Sequence, residues 1–232
     1  MRQNRGINRT FVPIIVRVGL TLPVFPSVYY QHRIIRRTTP GQNRYAMTFK
    51  ELNLIEPIMH AVAEKGYVTP TPIQEQAIPP ALEGRDLMGC AQTGTGKTAA
   101  YTLPLLNRLL LEGNEDNVIK SVIIVPTREL AQQIAVELKK LLGGNEVKVL
   151  AVTGGRDFEA QKHKLDGKSH VLIGTPGRLL DHIRKGNTNL GGVKYLVLDE
   201  VDEMLKQGFI DEASELIAMT DPERQTMLCS AT

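Results

Sequence analysis

Ala91-Gln92-Thr93-Gly94-Thr95-Gly96-Lys97-Thr98 decides how the rest of the chain is read. It follows a short apolar run, Asp86-Leu87-Met88-Gly89-Cys90, and opens a helical one, Ala99 to Leu111. Strand, small-residue loop and helix make the setting of a phosphate-binding loop. Gly94 and Gly96 let the backbone turn inward, so that its N–H groups converge on one spot. The helix start adds the positive end of its dipole. Lys97 then reaches the β- and γ-phosphates of a nucleotide, and the Thr98 hydroxyl ligates Mg²⁺. The strict pattern has Gly in the first position, where this chain has Ala91. The plain alternative is a Gly/Thr turn ahead of a helix.

Outward from that loop the chain alternates between β-branched runs and amphipathic stretches. Strands are expected at Val118–Val125, Val147–Val152, Val171–Gly174, Val193–Leu198 and Thr226–Cys229. Helices are expected at Thr127–Leu142, Phe158–Leu165, Gly177–Ile183, through Leu205, and at Ala213–Met219. Near-continuous apolar strands separated by helices indicate a mostly parallel sheet with helices on both faces. Upstream, Leu52, Leu54, Ile55, Ile58, Met59 and Val62 recur at helical spacing until Gly66. A Pro-fixed turn, Thr69 to Pro72, then leads into a short helix from Ile73 to Leu82.

Composition bounds the class. The chain has 232 residues, 42% hydrophobic and 23% charged, as in soluble globular proteins. No apolar run approaches the ~18 residues of a membrane span. Two cysteines make neither a disulfide framework nor a zinc site, which fits a reducing compartment such as the cytoplasm. The net charge of +3 is uneven. Residues 1–46 hold eight Arg and no Lys, Asp or Glu, which leaves 20 basic against 25 acidic residues in 47–232. This basic leader is expected to be a poorly ordered extension without a packed core. An organellar transit peptide and a nucleic-acid-binding tail remain open for it. The remainder must meet a polyanion through local patches and backbone N–H groups.

In parallel sheets the working residues lie past the carboxyl ends of the strands. Tyr195-Leu196-Val197-Leu198 runs into Asp199-Glu200-Val201-Asp202. There Asp199 would hold the Mg²⁺ shared with Thr98, and Glu200 would orient the attacking water. An acidic helix cap is the plain alternative. Pro126-Thr127-Arg128, Thr153-Gly154-Gly155 and Thr175-Pro176-Gly177-Arg178 offer hydroxyls, free N–H groups and Arg near helix starts. That set suits successive phosphates of a nucleic-acid strand, bound without regard to sequence. Each cluster singly is also ordinary loop chemistry. Glu129 is expected to orient Arg128. Ser230 and Thr232 carry hydroxyls that can bond Asp202 and Glu200. Gln74 can donate to and accept from adenine, with Phe49 packed on the base; by chemistry alone the favoured reading of the two is a surface amide and a core ring.

Taken together and in order, these residues resemble the DEAD-box RNA helicase family, in wording closest to its bacterial branch. Phe49, Gly66-Tyr67 and Pro72-Ile73-Gln74 resemble the Q motif, and Ala91–Thr98 motif I. Pro126–Ala131 resembles motif Ia, Gly154-Gly155 the GG motif, Thr175–Arg178 motif Ib, Asp199–Asp202 motif II, and Ser230–Thr232 motif III. The resemblance covers 47–232, divided into a Q-motif region (47–75) and a RecA-like P-loop NTPase domain (76–232). It implies an ATP-dependent enzyme that uses Mg²⁺, grips RNA by its backbone and opens short duplexes. It implies that Phe49, Tyr67 and Gln74 serve the adenine and that Ala91 to Thr98 serve the phosphates. Lys97, Asp199 and Glu200 would be catalytic, and Asp202, Ser230 and Thr232 would couple the two ligands. In the implied strand order the strands that end in Cys90 and Cys229 are neighbours, and both thiols are expected to be buried at the same sheet edge.

Two departures stand out. Val201 occupies the position where the family name has Ala. The chain also stops at motif III, so a second RecA-like domain, expected to be required for full activity, is absent from it. A nucleotide-dependent RNA clamp without unwinding, or another P-loop translocase, are the competing readings.

Overall fold

The structure, a computed structural model, describes residues 12–15, 47–113, 118–166 and 169–231. Among the described residues seven strands form one sheet: β1 (Val12–Ile15), β2 (Leu87–Cys90), β3 (Ser121–Ile124), β4 (Val149–Val152), β5 (Val171–Gly174), β6 (Tyr195–Leu198) and β7 (Gln225–Ser230). Their order is β1-β2-β7-β6-β3-β5-β4, and every pair is parallel. All carboxyl ends therefore open onto one edge.

The helices are α1 (Glu56–Glu64), α2 (Pro72–Leu82), α3 (Lys97–Glu112), α4 (Arg128–Leu142), α5 (Phe158–Asp166), α6 (Pro176–Arg184), α7 (Val201–Lys206) and α8 (Ile210–Ala218). Successive strand residues face opposite ways, and the core divides accordingly. Ile123, Ile173, Val197 and Met227 pack with Ile58, Ile78, Leu103 and Leu138 from α1 to α4. Val122, Leu172, Leu196 and Leu198 pack with Leu179, Met204 and Leu216 on the other face. This is the doubly covered α/β arrangement expected from the apolar runs.

Three local readings differ from expectation. The first helix does not run from Leu52. A 3₁₀ turn, Phe49–Leu52, ends at Asn53, whose φ of 56° is left-handed, and α1 begins only at Glu56. Asn107 fixes the break, its Oδ1 accepting from the Ile55 N–H at 2.7 Å. Second, the leader is not wholly separate from the sheet. Val12–Ile15 pairs with β2 in register from Val12↔Leu87 to Ile15↔Cys90. Burial of Ile14, 4% exposed, supplies the reason, since an apolar run beside an open edge strand gains both ladder bonds and contacts. Residues 1–11 and 16–46, to which the tail and transit-peptide readings belong, lie outside the described residues. Third, Cys229 is buried but Cys90 only half so. Register pairs Cys229 with Gly89, so the two thiols project from opposite faces.

Candidate functional site

Strand order splits the carboxyl edge into two halves. Strands β2, β7 and β6 lead into Ala91–Thr98, Ser230 and Asp199–Asp202. Strands β3, β5 and β4 lead into Pro126–Arg128, Thr175–Arg178 and Gly154-Gly155. Residues separated by up to about 140 positions in the chain are thus sorted by chemistry before any side chain is considered.

In the first half the phosphate loop wraps into α3 through Gly96, at φ 90°. A Cβ there would strike the Gln74 amide, so only glycine fits on both counts. Gln74 is 5% exposed. Its Oε1 accepts from the Thr71 N–H at 2.9 Å, and its Nε2 donates to the Gly96 carbonyl at 3.2 Å. Each end of that amide retains one further bonding position, which a purine edge can fill. Thr71 forms a capping box with Gln74 at the start of α2. Lys97 is 8% exposed. Its Nζ donates to the Ala91 carbonyl at 2.5 Å and to the Ser230 carbonyl at 3.1 Å, which ties the loop to the end of β7. Gln92, Thr93 and Gly94 are exposed, and Thr95 and Thr98 are half-buried.

The acidic pair stands beside this loop. Asp199 is 3% exposed, and both of its oxygens are held. Tyr101 O–H donates to Oδ2 at 2.9 Å, and the Glu200 N–H donates to Oδ1 at 2.9 Å. Burial raises the Asp199 pKa against the lowering effect of those bonds. Glu200 is raised too, by burial first and then by the Asp199 charge. Its backbone is left-handed, φ 54° and ψ 48°, an uncommon conformation for a residue with a Cβ. Thr98 and Asp199 supply a hydroxyl and a carboxylate, the oxygen ligands a magnesium ion takes alongside nucleotide phosphates, so the residues fit that ion. Asp202 meets the end of β7 where the Ala231 N–H donates to its Oδ1 at 3.4 Å. Thr232 lies outside the described residues.

Phe49 and Tyr67 sit differently from the rest. Their rings stack at 6.1 Å, and Phe49 is 3% exposed, turned into the core. The expected packing on a base meets a ring whose face is already covered, while Tyr67 remains half-buried.

The second half is open. Thr127 caps α4, its Oγ1 accepting from the Leu130 N–H at 3.2 Å. The Arg128 guanidinium lies against Gly155, where a Cβ would collide with it and where φ is 69°. Arg128 and Glu129 are both exposed, with Nε to Oε1 at 4.0 Å. Pro126 and Pro176 are buried, Gly154 and Thr175 are half-buried, and Gly177 is exposed at the start of α6. Arg178 Nη1 donates to the Arg156 carbonyl at 3.1 Å. Sequence reasoning missed Tyr101 and Thr71. Tyr101 falls on the apolar face of α3, and nothing local marks its hydroxyl as the partner of an acid 98 residues away.

Residues 71–232 match the family model described as DEAD/DEAH box helicase. The chain is 48% identical over 184 residues to the ATP-dependent RNA helicase CshA of Listeria monocytogenes, covering 79% of this chain and 35% of that protein. It is 43% identical over 185 residues to the DEAD-box ATP-dependent RNA helicase CshA of Geobacillus kaustophilus, covering 80% and 39%. The chain therefore spans little more than a third of the length of these curated relatives. The crystal structure of a DEAD box protein from the hyperthermophile Methanococcus jannaschii superposes with a TM-score of 0.75 at 41% identity, over 80% of this chain and 50% of that one.

Proposed function

Because the chain belongs to the DEAD/DEAH box helicase family, we propose that its carboxyl edge binds ATP with Mg²⁺ on one half and an RNA backbone on the other, and that ATP hydrolysis drives local opening of RNA duplexes. The observation that carries this reading is the sorting of the edge by strand order. Lys97, Thr98, Asp199 and Glu200 converge at β2, β7 and β6, and Arg128, Arg178 and the starts of α4 and α6 collect at β3 and β5, beside the Gly154-Gly155 loop after β4.

In this reading Gln74 takes the adenine edge with the bonding positions it has left. Gly94 and Gly96 present N–H groups to the phosphates, and Lys97 exchanges its two carbonyl partners for phosphate oxygens. Thr98 and Asp199 hold the magnesium ion, which when bound neutralises charge on the β- and γ-phosphates. Glu200 orients the attacking water. Ser230 and Ala231 sit between the lysine and Asp202, so a change at the phosphates is felt at the end of β7. Thr127, Arg128, Gly154, Gly155, Thr175 and Arg178 meet RNA phosphates without reading bases. A second RecA-like domain joins the site from outside these residues and supplies further charge.

Two measurements test the reading. Calorimetry with ADP tests the nucleotide half directly, and suits a chain without Trp. ATP turnover is then measured with and without single-stranded RNA, after a second RecA-like domain from a close relative has been joined to Thr232. Turnover that rises with RNA is expected. Nucleotide binding with turnover indifferent to RNA would remove the RNA assignment.

A further inference from the structure

Arg178 and His182 of α6 and Lys185, which caps the helix, stand at i, i+4 and i+7 in a single stripe. Phe158, the first residue of α5 and three positions past Gly155, lies across that stripe. Its ring is parallel to the His182 imidazole, with centroids 4.0 Å apart and planes at 4°. Arg178 Cζ is 5.4 Å from the same ring centroid, and Lys185 Nζ is 4.0 Å from it. One aromatic residue therefore gathers two cations and an imidazole.

The imidazole is the fixed part of this group. His182 is fully buried. The Asn187 amide lies 3.1 Å from Nδ1, and Nε2 has no partner. An unpaired ring nitrogen in the interior is costly, so stacking and packing hold the ring in place. Arg178 is fixed at two points, the Phe158 ring and the Arg156 carbonyl at 3.1 Å. Arginine carries large rotamer entropy, and prior restraint reduces what is lost when it meets a ligand.

We propose that Phe158, backed by His182, is a positioning residue that holds Arg178 ready for an RNA phosphate and ties the Gly154-Gly155 loop to the start of α6. This rests on the RNA-backbone reading of the second half of the edge. Phe158 makes no phosphate contact itself; it acts through the guanidinium.

The test uses the intact chain and a fluorescein-labelled single-stranded oligouridylate, with anisotropy read at several salt concentrations. Phe158→Leu and Phe158→Met fill similar space without an aromatic face. Both should weaken binding about two- to fivefold, the scale of one exposed cation–π contact. Phe158→Tyr should restore it, and ADP binding should be unchanged throughout. Arg178→Ala should flatten the slope of log affinity against log salt by about 0.7, one phosphate contact on a single strand. In that background Phe158→Leu should add nothing. Circular dichroism establishes which of the two non-aromatic variants is folded, and either one suffices. Full RNA affinity in a folded non-aromatic variant, or additive losses in the double variant, would overturn the positioning role and leave the RNA reading standing. If Arg178→Ala alters neither affinity nor slope, Arg178 meets no phosphate and the positioning role falls, while the RNA reading is then judged on Arg128 and on RNA-stimulated turnover.

Discussion

The two halves of the carboxyl edge solve opposite problems. Around β2, β7 and β6 the central polar side chains, Gln74, Lys97 and Asp199, are buried and bonded. Lys97 is held by two carbonyls, Asp199 by Tyr101 and Glu200, and Gln74 by Thr71 and Gly96. Around β3, β5 and β4 the arginines are exposed or half-exposed and lean on neighbours that cost little to leave. A buried network makes each member depend on the rest, so one change is felt throughout. An exposed row of cations and helix starts contributes in small, nearly additive steps. The difference suits a half that must place a few atoms for chemistry and a half that must grip a long polyanion anywhere along its length.

The largest expected effect tests the buried half. Glu200→Gln keeps the size and the helix start but removes the base. Hydrolysis in the two-domain protein should fall on the order of 10²- to 10⁴-fold. ADP affinity should stay near that of the parent. Normal turnover in this variant would mean that another group orients the water. Next comes Gln74→Ala. The amide matches adenine's donor and acceptor but leaves a polar group unpaired against guanine, a difference of about 1–3 kcal/mol. ADP should bind roughly tenfold or more tighter than GDP in the parent chain, and the variant should lose that preference. Equal affinity for both in the parent would release Gln74 from the base and leave it as a brace between Thr71 and Gly96.

How much of this comparison is legible in the sequence follows from range. The strands and most helices are local patterns of period two or 3.6, and their placement agrees with the structure to within a few residues. Lys97-Thr98 and Asp199-Glu200 are legible because loop and strand context lie within ten residues of each. What escapes is tertiary. Val12–Ile15 is four apolar residues in an Arg-rich leader, and only the open edge of β2 makes a strand of them. Asn53 breaks a good helical repeat because Asn107 is there to take the Ile55 N–H. Phe49 is expected at the base from the resemblance alone, and its burial in the core beside Tyr67 is tertiary. The pair Phe158 and His182, 24 positions apart, has no local signature at all.

The exposed half should respond more gently. Arg128→Ala removes a guanidinium that lies against Gly155 and is more than half exposed. Oligouridylate affinity should drop a few-fold, with the salt slope flatter by about 0.7. Combined with Arg178→Ala, the losses should simply add, because no contact joins the two side chains among the described residues. A double variant no worse than either single one would show that this half, too, is a coupled network, and the contrast with the nucleotide half would disappear.

The smallest effect concerns acid, and the two halves should respond with opposite signs. His182 sits below its ordinary value of 6.5, first through burial and then through Arg178, with Lys185 adding to the lowering and Asp181 and Glu159 opposing it. The folded chain thus resists a proton that the unfolded chain accepts. Stability from this residue is complete above about 6.5, drains as pH falls through that value, and levels off below the lowered folded pKa. Asp199 and Glu200 are raised in the fold, so acidification relieves them. Their contribution improves as pH falls from their raised values toward the ordinary 3.8 and 4.5. Melting curves between pH 8 and 5.5, without Mg²⁺ or nucleotide, separate the two. The parent should lose on the order of 1–3 °C more than His182→Gln over that interval, since every other titrating group is common to both chains. Parallel curves would mean that His182 titrates alike folded and unfolded, and that the Phe158 ring tolerates three cations as readily as two.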